Sequence, residues 1–246
     1  MSTKIKKSLT SFILILFFSQ LFFISSFATD SIKGKWDGEL KATRIRVEMD
    51  VRSGKLQDRW DVTLSIPYDE IGDLNGSRKS RIKFEWKKDS GTFFFEGRRR
   101  GDDAYGDFEF VANKDFLREM DRLGFEDISI EKLLSMAIHN VELDFIKPMV
   151  KLDYEGLSPD KFIELKIHGV TVDYARDMKL LQLDDFDADR LVEMKIHGVR
   201  PDWAKDICES NLADLNARKL IEMKIHGVSS DFVQEMVASK WENLTV

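Results

Sequence analysis

The sequence is short of the residues that build reactive centres. It has one cysteine, Cys208. That excludes an intrachain disulfide framework and any four-cysteine zinc site. It has four histidines, no Gly-rich phosphate loop, no His-Glu-x-x-His and no Gly-x-Ser-x-Gly. Little remains from which to assemble catalysis, so a non-enzymatic protein with no cofactor and no resident metal is expected. Charged residues make up 33% of the chain, too many for a multi-span membrane protein. Hydrophobic residues make up 43%, enough for a core. A length of 246 residues gives room for one large domain or two small ones.

The longest apolar run is at the N-terminus. Lys4, Lys6 and Lys7 precede a hydrophobic stretch from Phe12 to Ile24, and Ser26-Phe27-Ala28 follows. A basic start, a short apolar run and a small-residue exit are the three parts of a secretory signal peptide. Residues 1–28 read as that segment, with cleavage after Ala28 and a secreted or periplasmic mature chain. The run is short for a span of about 20 residues, so no membrane span is expected after cleavage; an uncleaved anchor is the alternative.

Residues 29–112 hold 17 basic and 17 acidic side chains, whereas residues 113–246 hold 18 basic and 27 acidic ones. An acidic C-terminal part repels phosphate backbones and argues against nucleic-acid binding.

Residues 29–112 alternate. Ile45, Val47, Met49 and Val51 interleave with charged residues, as do Trp60, Val62, Leu64 and Ile66, and Ile82, Phe84 and Trp86. A period of two sets one buried face against one wet face. Shorter runs at Trp36–Leu40, Thr92–Glu96 and Asp107–Val111 bring the count to about six strands. Turn signals at Ser53-Gly54, Asp89-Ser90-Gly91 and Gly101-Asp102-Asp103 predict an antiparallel meander, flat or curled into a small barrel. The long link Pro67–Ser80 reads as a helical turn, Asp69 to Leu74, that plugs one end. Arg98-Arg99-Arg100 reads as a solvated strand end, with an anion patch as the alternative.

Residues 113–246 repeat every 29 residues. His139, His168, His197 and His226 are evenly spaced, and so are Asp115, Asp144, Asp173, Asp202 and Asp231. An aromatic column follows: Phe116, Phe145, Tyr174, Trp203 and Phe232. A fixed period of this length marks a repeat architecture, here a half repeat and four units. Helix-end chemistry defines the unit. Ser158 suits an N-cap, Pro159 the first helical position and Asp160 the positive helix end. Ten residues beyond the cap comes His168, then Gly169. Gly169, Gly198 and Gly227 suit the left-handed residue past a helix end, with Asn140 as the substitute in the first unit. The apolar pairs that accompany such an ending are Met136–Val141, Leu165–Val170, Met194–Val199 and Met223–Val228. A second helix follows, capped by Thr171, with Asp173 at its acidic second position. Each unit is two helices of about ten residues, nine helices in all. Such helices are marginal alone and must stack. Pro148 is expected to kink or shorten one of them, and Arg200 replaces the cap of another. The fold class is α+β, an N-terminal antiparallel sheet or small barrel followed by a helical array.

The evenly spaced histidines invite a metal reading, which geometry opposes. Equivalent atoms of stacked helices lie about 8–10 Å apart, while imidazoles sharing a zinc bind at about 2.0–2.1 Å from it. Each histidine reads as a helix C-cap, favourably placed when protonated. Asp185, Asp187 and Asp189 suggest a calcium loop, but Arg190 and Ile196 stand where glycine and an acid are needed. Ile-His-Gly-Val between helices is comparable to a DNA-binding hairpin, which the acidic charge disfavours. Cys208 has no histidine base beside it and reads as a free thiol.

Lys-Ile-His-Gly-Val followed by an acid and an aromatic resembles the helical repeats of a group of bacterial envelope proteins, whose usual form is Lys-Ile-His-Gly-Val-Thr-Pro-Glu-Tyr. The nearest matches are Lys166–Tyr174 and Lys195–Trp203. Similar repeats occur in the extracytoplasmic tails of beta-lactam-sensor-type membrane metallopeptidases. Asp89–Phe93 and Gly106–Phe110 are similar to the strand segment before those repeats, so the likeness covers most of residues 81–246. It implies compartment and architecture. The peptidase part is absent and no protease residues carry over. The expected role is binding of an envelope protein or peptide on the repeat surface. The alternative is an apolar-ligand carrier that turns Trp36, Trp60, Trp86, Phe84 and Phe95 inward.

Overall fold

The computed structural model describes residues 31–52, 59–72, 74, 81–210 and 212–239. The expected signal segment lies outside these residues, as do the expected turn at Ser53-Gly54, residues 73 and 75–80 of the long link, the Trp60 side chain and residues 240–246.

Six antiparallel strands form one curled sheet, a half-barrel. They are β1 (Ser31–Leu40), β2 (Arg44–Arg52), β3 (Arg59–Pro67), β4 (Arg81–Lys88), β5 (Gly91–Arg100) and β6 (Asp103–Ala112). The order β3-β2-β1-β6-β5-β4 corrects the expectation of a simple meander. Two three-strand meanders meet at β1 and β6, and the chain crosses from one sheet edge to the other after β3. The long link makes that crossing. Its helical turn, α1 (Tyr68–Ile71), packs on both edge strands, β3 and β4. Glu70 accepts bonds of 2.7 Å from the Trp86 indole and from Lys88, and these bonds hold its carboxyl below the usual range.

The inner face is aromatic. Phe84 stacks on Phe95 at 4.5 Å, and Trp36 meets both edge-on at 5.6 Å. Trp36 sits beside a glycine pair of the neighbouring strands. Gly97 faces Gly106 in register, and Trp36 faces Gly106 from the other side. The indole Nε1 donates to the carbonyl of Asp107 at 3.1 Å. A Cβ on Gly106 would run into the Glu96 carbonyl. Bare backbone at this pair lets β5 and β6 approach closely here. Arg99 corrects another expectation: it is buried, donating to the carbonyls of Gly101 at 2.8 Å and Leu74 at 2.7 Å. The alternation from Phe93 and Phe95 carries on inward to this residue.

Nine helices follow among the described residues: α2 (Lys114–Arg122), α3 (Ile130–Ile138), α4 (Leu143–Lys151), α5 (Pro159–Ile167), α6 (Val172–Lys179), α7 (Ala188–Ile196), α8 (Pro201–Glu209), α9 (Ala217–Ile225) and α10 (Ser230–Ala238). They form two rows. In one row α3, α5, α7 and α9 pack in succession, and in the other α4, α6, α8 and α10 do. Helix α4 has nine residues despite Pro148, so the proline does not shorten it. Ser129, Ser158, Asp187 and Asn216 cap the first row and Thr171 and Ser229 cap the second, each by accepting a backbone N–H. Phe162, Leu165, Met178, Leu191, Met194 and Ile207 are fully buried between units. Burial of each such side chain favours folding by about 1.5–3 kcal/mol.

The β4–β5 turn joins sheet to array. Asn113 donates its backbone N–H to the Ser90 carbonyl and its side-chain amide to the Asp89 carbonyl. Ser90 Oγ donates to the Leu133 carbonyl at 2.9 Å. The Asp89 carboxylate accepts the Leu143 N–H at 2.8 Å. Helix α4, whose own N-cap Glu142 makes no side-chain bond, is thus capped from the sheet.

Candidate functional site

The repeat-invariant residues fall into two sets, those that build the stack and those that do not. Val141, Val170, Val199 and Val228 each donate their N–H to the residue five before, at 2.9 Å. The residue between, Asn140, Gly169, Gly198 or Gly227, has φ of 53°, 70°, 68° or 69°. This is the left-handed ending with its six-to-one bond. His139, His168, His197 and His226 are the C-caps of α3, α5, α7 and α9. His139 is half-buried, and burial pushes its pKa down rather than up. The other three are exposed.

The aspartate column occupies the first turn of the second-row helices and of α2. Asp115 pairs with Arg118 and Asp173 with Arg176. Asp202 pairs with Arg200 and also accepts the Trp203 N–H at 2.9 Å. Arg200 foremost, then that N–H, lowers the Asp202 pKa to about 2. The missing side-chain cap at Arg200 is replaced by this local pair. Asp144 and Asp231 also lie in first turns and are exposed.

The aromatic column locks successive units. The Tyr174 hydroxyl donates to the Val199 carbonyl at 3.0 Å, and Trp203 Nε1 donates to that of Val228 at 3.1 Å. Burial pushes the Tyr174 phenol up, so it stays a donor. The lysine of each Lys-Ile-His-Gly-Val covers the ring behind it: Lys166 over Phe145 at 5.1 Å, Lys195 over Tyr174 at 4.5 Å and Lys224 over Trp203 at 5.0 Å. Such contacts contribute about 0.5–1 kcal/mol at exposed sites. A parallel ladder links the first row, where Lys132 pairs with Asp160 and Lys161 with Asp189. Burial pulls the Lys161 pKa down, but Asp189 and Glu164 outweigh it and hold the ammonium above its usual range.

Packing therefore accounts for the Val, Gly, Lys and aromatic columns. It accounts for one residue of the isoleucine column, Ile138, which packs against the core, and not for the other three. Ile167, Ile196 and Ile225 are 55%, 54% and 55% exposed. With His168, His197 and His226 they line one edge of the array as a periodic apolar and imidazole stripe. The unequal neighbours at another exposed column make the contrast: it runs Lys151, Leu180, Glu209, Ala238. The sign was present in the sequence. Ile167 falls two residues after Leu165, off the helix face that carries Phe162 and Leu165.

A groove of about 590 Å³ lies between α6 and α8, bordered by exposed Leu180 and half-buried Cys208. Burial and the neighbouring Glu209 carboxylate push the Cys208 thiol up, away from thiolate chemistry. A trough of about 650 Å³ on the sheet contains half-exposed Phe94 between the ion pairs Lys33–Glu109 and Lys35–Asp107.

Asp187 caps α7, and Asp185 has φ of 53° in the preceding turn. Among the described residues no three His, Cys, Asp or Glu side chains gather where an ion could be held, and no helix is long and apolar enough to cross a membrane. No protein-family model, no curated protein and no solved structure matches the chain.

Proposed function

We propose that this chain is a non-enzymatic binding or adaptor protein of the bacterial envelope, exported by residues 1–28, that binds a protein or peptide along its helical array. The observation that carries the reading is the Ile167, Ile196 and Ile225 stripe, kept in three successive units although each side chain is more than half exposed; the equivalent in the first unit, Ile138, packs against the core. Apolar side chains aligned at the repeat spacing offer an extended surface to an elongated partner. Export is supported by the tripartite N-terminal segment and by the resemblance of the repeats.

The carrier reading finds less support. The inner rings of the half-barrel are buried against one another, so an apolar guest would have to part them.

The test is position-resolved photo-crosslinking in cells producing the full chain. A photoreactive residue at 167, 196 or 225 should give one adduct of common mass. The same residue at position 206, exposed on α8, should give none. Adducts of equal yield at all four positions, or none at the stripe, would refute the reading.

A further inference from the structure

We propose that the hollow beside Cys208, in the second helix row, binds a lysine side chain of a partner protein, seated as the chain's own Lys179 is seated one unit earlier. In that earlier unit Lys179 of α6 lies over the Tyr154 ring, 4.5 Å from its centroid, and donates to the Asp153 carbonyl at 3.0 Å. Counting on by the repeat length puts Cys208 at the place of Lys179, Leu183 at that of Tyr154 and Gln182 at that of Asp153. Cysteine ends at Sγ and cannot make the same reach. The carbonyl that a lysine would meet here belongs to Gln182, and among the described residues nothing donates to it.

What the exchange leaves is space. A hollow of about 310 Å³ is bounded by Gln182, Leu183, Asp184, Cys208 and Leu212, among others. Leu181 and Cys208 border both this hollow and the groove of about 590 Å³ between α6 and α8, so the two adjoin. The walls suit a cation on an apolar stem. Leu183 and Leu212 are half-buried and offer apolar surface to the methylenes. The far end lies just past the last turn of α6, where helix carbonyls favour positive charge, and beside the exposed Asp184 carboxylate. Two acids of the adjoining groove are already matched, Asp202 by Arg200 and Glu209 by Lys205. Asp177 of the groove and Asp184 of the hollow have no basic partner among the described residues. These two carboxylates draw a basic side chain and repel an acidic one. Leu180, 72% exposed at the groove border, is apolar surface for the residues on either side of the inserted lysine. The partner segment is therefore a lysine between apolar residues. This site follows from exchanges within one unit and does not rest on the isoleucine stripe.

The experiment uses the full chain, whose one cysteine borders the hollow and reports its occupancy. The probe is a capped, fluorescein-labelled Gly-Ser-Leu-Lys-Leu-Ser-Gly peptide, with a control in which norleucine replaces the lysine. The lysine peptide should slow alkylation of Cys208 by iodoacetamide in a saturable way, and the norleucine peptide should bind at least about tenfold more weakly, since it lacks the charge-assisted bonds. Cys208→Lys supplies the missing side chain from the chain itself, so peptide binding read by fluorescence polarisation should fall at least about tenfold, while Cys208→Ser leaves it unchanged. Asp184→Asn, at an exposed position, should weaken the lysine peptide and leave the norleucine peptide as it was. Far-UV circular dichroism checks that each variant keeps its helix content. Equal binding of the two peptides, no protection of Cys208 at any peptide concentration, or binding that survives Cys208→Lys in a folded chain would overturn the inference. So would a single capped lysine that binds as tightly as the peptide, which would make the hollow a site for small amines rather than for a partner.

Discussion

At the scale of single residues, two kinds of strain and charge can be read against each other. Gly198 holds φ of 68° between α7 and α8. Gly198→Ala puts a Cβ into the left-handed region and should cost about 1–2 kcal/mol. Asn140, at φ of 53°, should gain from the reverse change, Asn140→Gly. Denaturant midpoints of the two variants should move in opposite directions. Glu142 gives a pH dependence. Burial foremost raises its pKa; Lys88 opposes, and the carboxylates of Asp89 and Asp144 add to the rise. The folded chain then holds this proton more tightly than the unfolded one, so stability falls as pH climbs from the unfolded value through the raised one. Glu142→Gln should raise the thermal midpoint at pH 7 and leave it unchanged at pH 3.5, where both states are protonated. A lower midpoint at pH 7 would show that the carboxylate has a structural partner.

At the scale of elements, the decisive contact is one that links two of them. Helix α4 is capped by Asp89 from the β4–β5 turn, 54 residues before Leu143. Asp89→Ala should cost about 1 kcal/mol, the usual value of a lost N-cap, and Asp89→Asn should recover most of it. Equilibrium unfolding in urea distinguishes the two. The same contact separates local from long-range information in the sequence. The glycine endings, the caps Ser158 and Thr171 and the apolar pairs five apart were legible, because each depends on residues within one turn of each other. The cap on α4 was not, because nothing near Glu142 names Asp89. The strand order is hidden for a similar reason: alternation assigns faces, whereas the pairing of β1 with β6 joins residues far apart in the chain, Trp36 with Gly106 among them. The burial of Arg99 and the exposure of Ile167, Ile196 and Ile225 are legible in the pattern. Both follow from carrying a period on past the apolar residues that announced it.

At the scale of the whole molecule, the sheet caps one end of a stack whose units hold one another through rings, lysines and carbonyls. Short helices of eight or nine residues are marginal alone, so the array owes its order to that stacking. Against this background Ile167, Ile196 and Ile225 are more than half exposed and stand outside the contacts that hold the stack. The most direct test is the equilibrium unfolding of the full chain carrying Ile167→Ser, Ile196→Ser and Ile225→Ser together. If the stripe is surface held for a partner, the loss should stay within about 0.5 kcal/mol per site, as for other exposed positions. A loss of about 2–5 kcal/mol per site, the range for buried aliphatic side chains, would make these isoleucines part of the core and contradict the account.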